Sequence, residues 1–198
     1  MKSLREEHAQ STRNAILEAA RRIFASQGYD AASIDEIAAA ARVTSGALYH
    51  HFRSKRELMR AVFEALEAAL KERVAAAMSR AKSSSQTLRL ALRAFFDACL
   101  QDDIRSVVFE QAPRVLGWEE WRRIDAEYGI GLMLDLLSGM RGAQQLGDYD
   151  DQLAATLFLA AVSEAGLQIA LGGRRQSELR RQAERILEAF LEGLHKRP

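Results

Sequence analysis

The stretch that most constrains this chain is Ser33-Ile34-Asp35-Glu36-Ile37-Ala38-Ala39-Ala40-Ala41-Arg42-Val43-Thr44-Ser45-Gly46-Ala47-Leu48-Tyr49-His50-His51-Phe52, which reads as two helices too short to stand alone, joined by a tight turn. Ser33 followed by Glu36 forms a capping box, in which hydroxyl and carboxylate satisfy the amides that open a helix. Ile34, Ile37 and Ala38 share the inner face of that helix. The apolar rhythm slips at Arg42-Val43, as it does where one helix stops and another leaves at a steep angle. Thr44 is the next N-cap. From it runs a second short helix with Leu48 and Phe52 inward at i and i+4, leaving Ser45, Gly46, Ala47, Tyr49 and His50 outward. The pattern is that of a helix-turn-helix, whose second helix enters a DNA major groove.

The flanking sequence supplies what these helices pack on. From about Ala9 to Gln27, Ile16, Leu17, Ala20, Ile23 and Phe24 fall on one face of a helix that Gly28 stops as its C′ residue. Ser54 with Glu57 is a second capping box. It opens a helix through Leu58, Ala61, Val62, Ala65, Leu66, Ala69, Leu70, Val74, Ala77 and Met78. At about 25 residues, roughly 37 Å, this helix is long enough to run from a head into a body and is the natural lever between them.

The outward residues of the second short helix are small or hydrogen-bonding. Thr44 and Ser45 suit bases or phosphates, and Gly46 and Ala47 suit a thymine methyl or the sugar backbone. His50 and His51 point about 100° apart, so they are no metal pair, and the groove contact falls to His50.

Gly28-Tyr29, Ser33-Ile34-Asp35-Glu36-Ile37-Ala38, Gly46-Ala47-Leu48-Tyr49-His50-His51-Phe52 and Ser54-Lys55-Arg56-Glu57-Leu58 resemble the signature of the TetR family of bacterial repressors, over about Thr12 to Val62. The resemblance implies that Tyr49 and Lys55 grip phosphates, Lys55 with help from the positive end of its helix dipole. Tyr49 also reads as a core aromatic with its hydroxyl at the surface. Arg13 reads as a phosphate contact or as a solvated surface arginine, and Ser33 completes the DNA-binding set. One departure stands out: the turn position often held by glycine in the family is Arg42. A left-handed backbone there carries the steric cost of a side chain, so a slightly different turn is expected.

Apolar residues make up 48% of the 198 and charged residues 28%, with two prolines, so the chain is globular. Alanine, leucine, glutamate and arginine dominate and β-branched runs are absent. An all-α fold follows, and the resemblance implies a three-helix DNA-binding head at 1–56 with a larger helical effector-binding and dimerisation body at 57–198. The net charge of +1 hides an asymmetry, since residues 1–60 hold ten Lys/Arg against seven Asp/Glu. That modest excess calls for a dimer that doubles the basic head.

No apolar stretch reaches the length of a membrane span, and the polar start Met1-Lys2-Ser3-Leu4-Arg5-Glu6-Glu7 lacks a signal-peptide core, so a cytoplasmic protein is expected. Cys99, the single cysteine, forms no intrachain disulfide and reads as core. No Cys/His cluster has zinc spacing, and no metal or cofactor is expected.

Within the body, Lys82-Ser83-Ser84-Ser85 reads as a loop. Leu88, Ala91, Leu92, Phe95, Phe96, Cys99 and Leu100 mark a helix. Ile104, Val107, Val108 and Phe109 mark a short one closed before Pro113. From Gly117 to Met140, Trp118, Trp121, Asp125, Tyr128 and Leu132 share one face. That aromatic stripe reads either as core or dimer packing, or as a ligand box formed with Phe95, Phe96 and Cys99 in which Glu110 or Asp125 is the polar anchor.

Gly139, Gly142 and Gly147 punctuate a loop, and Asp150 or Asp151 caps a helix to Leu171. The last helix carries Leu179, Ala183, Ile186, Leu187, Phe190, Leu191 and Leu194, a face too wide for one neighbour. The family resemblance implies that segments 150–171 and 177–194 pair with their copies in a four-helix bundle.

The expected protein is a ligand-responsive repressor that binds a pseudo-palindromic operator as a homodimer and is released by a small molecule. No glycine-rich phosphate loop, nucleophile elbow or metal-spaced acidic cluster points to catalysis. The alternatives are a constitutive DNA-binding regulator without effector and an all-helical enzyme.

Overall fold

The computed structural model describes residues 4–196, so Met1-Lys2-Ser3 of the polar start and residues 197–198 at the end of the expected body lie outside the described residues. The expected all-α fold is found. Among the described residues the only β pairing is an isolated bridge between Leu146 and His195. The described residues form nine α-helices in order: α1 (Leu4–Gln27), α2 (Ile34–Ala40), α3 (Ser45–His51), α4 (Lys55–Met78), α5 (Ser84–Cys99), α6 (Ala112–Leu116), α7 (Trp118–Gly142), α8 (Asp151–Leu171) and α9 (Gln176–Gly193). A π-helical segment, Ile104–Gln111, leads into α6.

The chain forms two compact units. The first takes residues up to Leu66 together with Asp102–Trp121, and the second takes Glu67–Gln101 and everything from Arg122. This differs from a cut at residue 56. The first turns of α4, the π-helical segment, α6 and the start of α7 all belong with the head, because their side chains complete its core. Trp121 is buried, donates its indole N–H to the Val108 carbonyl at 2.9 Å, and stacks on Phe63 with ring centroids 6.4 Å apart. Gln111 donates through Nε2 to the Phe24 carbonyl at 2.9 Å, tying the π-helical segment to α1. Arg56 pairs with Glu120 at 2.6 Å, and Arg21 with Asp103.

The segment expected to close before Pro113 instead continues through it. The wide winding, in which Ala112 N–H bonds the Val107 carbonyl, brings Pro113 to the first turn of α6. A missing N–H costs nothing at that position. The serine loop is shorter than expected, since Ser83 is the N-cap of α5, its Oγ accepting from Gln86 N–H.

In the second unit α5, α7, α8 and α9 pack with the C-terminal half of α4 around Leu92, Phe96, Ile124, Leu137, Phe158 and Ile169. Gly129 lets α7 and α8 approach closely: a Cβ there would sit 2.7 Å from Leu159 Cδ1. Gly139 and Gly142 lie inside α7 and do not punctuate a loop. That helix ends at Gly142, and two residues on Gln144 takes the left-handed conformation with φ 57°.

The expectation that no segment could span a membrane needs correction. By length and mean hydropathy, 1.6 over its best window, α8 is apolar enough to cross one, yet half of that window is buried in the body. It is the body's core helix, rich in alanine because its neighbours come close.

Candidate DNA-reading helix and body cavity

The first unit holds α3 by both ends and from beneath. Thr44 is extended and its Oγ1 accepts from Ala47 N–H at 3.1 Å, as an N-cap does. Leu48 and Phe52 are fully buried and seat the helix on the core. Ser33 caps α2 by accepting from Glu36 N–H at 3.1 Å, but the reciprocal half of that capping box is not made. Glu36 turns its carboxylate to Gln27 Nε2 at 2.5 Å, joining α2 to α1. At α4, Ser54 Oγ accepts from Glu57 N–H, while Glu57 Oε2 reaches one residue past the cap and accepts from Arg53 N–H, not from the N–H of Ser54.

Arg42 takes the left-handed conformation itself, with φ 58°. Its N–H bonds the Ala39 carbonyl and that of Val43 bonds the Ala38 carbonyl, both at 3.0 Å, which is the Schellman ending of α2. The turn expected to change shape therefore keeps it, with side-chain strain in place of glycine.

Above this frame α3 presents Gly46, Tyr49 and His50 to solvent, Tyr49 about half exposed, with Ser45 and Ala47 beside them. Ser45 Oγ donates to Asp35 Oδ1 at 2.5 Å. Arg13 lies with its guanidinium 4.4 Å from the centre of the Phe52 ring, half-buried where the sequence allowed a solvated arginine. Lys55, at the first position of α4, stacks its ammonium 4.4 Å from the Tyr29 ring and donates to the Ala32 carbonyl at 2.8 Å. It therefore braces the loop between α1 and α2. His51 is half-buried, and desolvation followed by the nearby His50 and Arg13 lowers its pKa.

The second unit holds a partly open, almost wholly apolar cavity of about 50 Å³ among α4, α5, α7 and α8. Of the residues expected to form a ligand box, Phe95, Asp125 and Tyr128 line it. Five others do not. Phe96 and Cys99 point into the packed core, and burial raises the Cys99 thiol far above its usual pKa. Trp118, Trp121 and Glu110 belong to the first unit: the indoles stack with centroids 4.9 Å apart, and Glu110 pairs with Arg105 at 2.9 Å. One helical face in sequence is thus divided between two units, the first turn of α7 serving one core and the next turns the other.

Three polar cavity residues escaped the sequence reading, Glu67, Lys71 and Ser163. Glu67 shares a face with Leu70 and Val74, and a carboxylate within that apolar row was the available signal. Burial, then the proximity of Asp125, holds its carboxyl well above the ordinary range. Asp125 is pushed up to about 6 by burial, against the opposing pull of a hydrogen bond from Ser163 Oγ (2.9 Å) and the charge of Arg122.

On α8 and α9 a row of large apolar side chains stays in solvent: Leu153 and Leu157 one turn apart, Leu171, and Ile186 at 65% exposure. The wide face of α9 is partly used within the unit itself. Leu187 and Leu191 are buried, and Phe190 packs on Phe158 with centroids 5.3 Å apart.

Comparison with known proteins agrees with this architecture. Residues 16–62 match the family of bacterial regulatory proteins, tetR family, and residues 85–194 match the tetracyclin repressor-like C-terminal domain. A TetR-family transcriptional regulator from Pectobacterium atrosepticum superposes with a TM-score of 0.82 at 30% identity, over 100% of both chains. The transposon Tn10 TetC protein of Escherichia coli is 27% identical over 157 residues, 79% of this chain and 79% of that protein. The transcriptional regulator AcrR of Shigella flexneri is 43% identical over 67 residues, 34% of this chain and 31% of that protein. The chain belongs to the TetR family and is a DNA-binding transcriptional regulator.

Proposed function

We propose that this regulator is a homodimeric repressor that reads a pseudo-palindromic operator and is released from it by a small molecule bound in the body cavity. The exposed row Gly46, Tyr49 and His50 on a firmly seated α3 carries the reading. With Thr44, Ser45 and Ala47 it forms a surface small enough to approach base edges. Tyr49 and the amides opening α4 take phosphates. Arg13 and Lys55 contribute positive charge from their places on Phe52 and Tyr29, and Ser33 positions α2 alongside.

Two such helices related by a two-fold axis fit successive major grooves, roughly 34 to 36 Å apart or a multiple of that. The exposed Leu153, Leu157, Leu171 and Ile186 supply the self-complementary surface for the two-fold, through segments 150–171 and 177–194. A protein working on the chromosome of a bacterium works in the cytoplasm. The cavity favours an effector over a constitutive binder, whose body would gain nothing from an unfilled interior. Release follows only if the effector prefers a head spacing that the operator does not fit, since equal affinity for both states shifts nothing. Because α4 contributes residues to both units, it is the element assigned to transmission.

Sedimentation and operator titration of Leu157→Glu/Ile186→Glu test the assembly. Charge placed in an apolar interface should yield monomers of unchanged helix content that bind the operator at least tenfold more weakly than the parent. A double variant that remains dimeric would remove α8 and α9 as the interface.

A further inference from the structure

Within the reading of the body cavity as an effector site, we propose that Glu67 and Asp125 bind the ammonium group of a slender lipophilic amine, whose hydrocarbon lies along Leu70, Leu92, Leu132 and Phe158. Glu67 is the reason to look for a cation. It is 6% exposed, lines the cavity, and receives no hydrogen bond from any described residue. Asp125, on α7, accepts among the described residues from Ser163 Oγ alone. Two carboxyl groups in an apolar cavity have far more acceptor capacity than hydrogen bonds among the described residues fill. A primary ammonium brings three donors and one positive charge, which matches that deficit at a single point. Everything else around the cavity is hydrocarbon, apart from Lys71 and Tyr128, so the remainder of the ligand is apolar. The small volume of the space, about 50 Å³, favours an unbranched chain over a fused ring system.

The charged and titratable neighbours set the proton balance. Lys71 lies one turn along α4 and Tyr128 one turn along α7, while Arg122 pulls Asp125 down. Cys99 on α5 feels Glu67 and stays a thiol, and Arg180 on α9 is engaged by Asp97 and Glu184. Asp125 gives up its proton near pH 6, whereas Glu67 is held well above the ordinary carboxyl range. Below about pH 6 an entering ammonium must displace a proton from the pair, one for one. Above it, the charge is already in place. Affinity for an amine therefore rises by up to about tenfold per pH unit toward pH 6 and then flattens, while affinity for a neutral analogue stays level.

The test is calorimetric titration of the intact protein with n-hexylammonium chloride and with n-hexanol, at about pH 5 and about pH 7.5. Wild type, Glu67→Gln, Asp125→Asn and Leu92→Ala are compared, with thermal melts confirming that each variant is folded. The proposal expects hexylammonium to bind wild type at least tenfold more tightly than hexanol at the higher pH. The gap should narrow at the lower pH, vanish in Asp125→Asn, and shrink without vanishing in Glu67→Gln, which leaves the charge of Asp125 in place. Hexanol binding as tightly as the amine, with both carboxyl variants indifferent, overturns the ammonium site while leaving the cavity as an effector site. Failure of both compounds to bind wild type and the enlarged Leu92→Ala cavity overturns the ammonium site and the cavity reading together.

Discussion

The two units solve opposite problems with the same helical vocabulary. In the first, polar groups are spent on fixing geometry: Ser33 and Thr44 cap, Glu36 reaches back to α1, Lys55 braces a loop, and Trp121 anchors its indole to the backbone. In the second, the interior keeps an apolar gap lined by two carboxyls close enough to feel each other's charge. Rigid placement of a short helix is what sequence readout needs, since side chains must meet base edges within a fraction of an ångström. An interior that has yet to be filled is what a response to a small molecule needs, because the ligand then supplies packing the protein lacks alone.

The sharpest way to break this contrast is to damage the packed unit. Phe52→Ala removes a fully buried ring beneath α3 and the surface on which Arg13 rests, and should cost about 3–5 kcal/mol with loss of operator binding. Denaturant melts monitored by circular dichroism measure it. The reverse experiment adds volume to the open unit. Ala91→Leu points into the cavity wall and should stabilise by about 0.5–2 kcal/mol, where an added methylene in a close-packed core would destabilise.

A smaller effect sharpens the electrostatic half of the comparison. Burial raises both cavity carboxyls, so the folded state binds protons more tightly than the unfolded chain. Their stabilising contribution is fully present below the unfolded values, near pH 4. It is lost as pH rises through the folded ones, about 6 for Asp125. Glu67→Gln removes one of the two penalties. Its melting temperature should exceed wild type by about 2–4 °C near pH 8, the shift that roughly 1 kcal/mol produces in a chain of this size. The advantage should disappear near pH 4. The smallest change is Arg42→Gly, which relieves the left-handed strain and gains about 0.5–1 kcal/mol after the added freedom of glycine in the unfolded chain is counted.

Much of the first unit could be read from the sequence because its devices are local. Ser33 to Glu36, Ser54 to Glu57, and Leu48 to Phe52 act within one turn, where spacing alone decides which groups meet. The second unit depends on which helices face each other, and spacing does not tell that. Trp118, Trp121 and Asp125 lie on one stripe of α7, yet the fold gives the tryptophans to one core and the aspartate to another. Glu110 belongs to the first unit, exposed and paired with Arg105 on a π-helical segment whose phase an α-helical count does not give. Leu187 looked like interface and is core, whereas Ile186, its neighbour, is the residue left in water. Glu67 went unnoticed inside an apolar row, although a carboxylate in such a row is the one sequence mark of this cavity.

The central claim, that the outward face of α3 reads DNA sequence as half of a two-fold pair, is tested most directly by selecting duplexes from a random library with the intact protein. Wild type and a Thr44→Ala/Ser45→Ala/His50→Ala variant are run side by side. The account predicts that wild type enriches a pseudo-palindrome whose half-sites lie about 10 base pairs apart, or a multiple of that. The triple variant should enrich nothing while keeping its salt-dependent, sequence-independent binding. Enrichment of the same palindrome by both proteins, or of no palindrome by wild type, would contradict it.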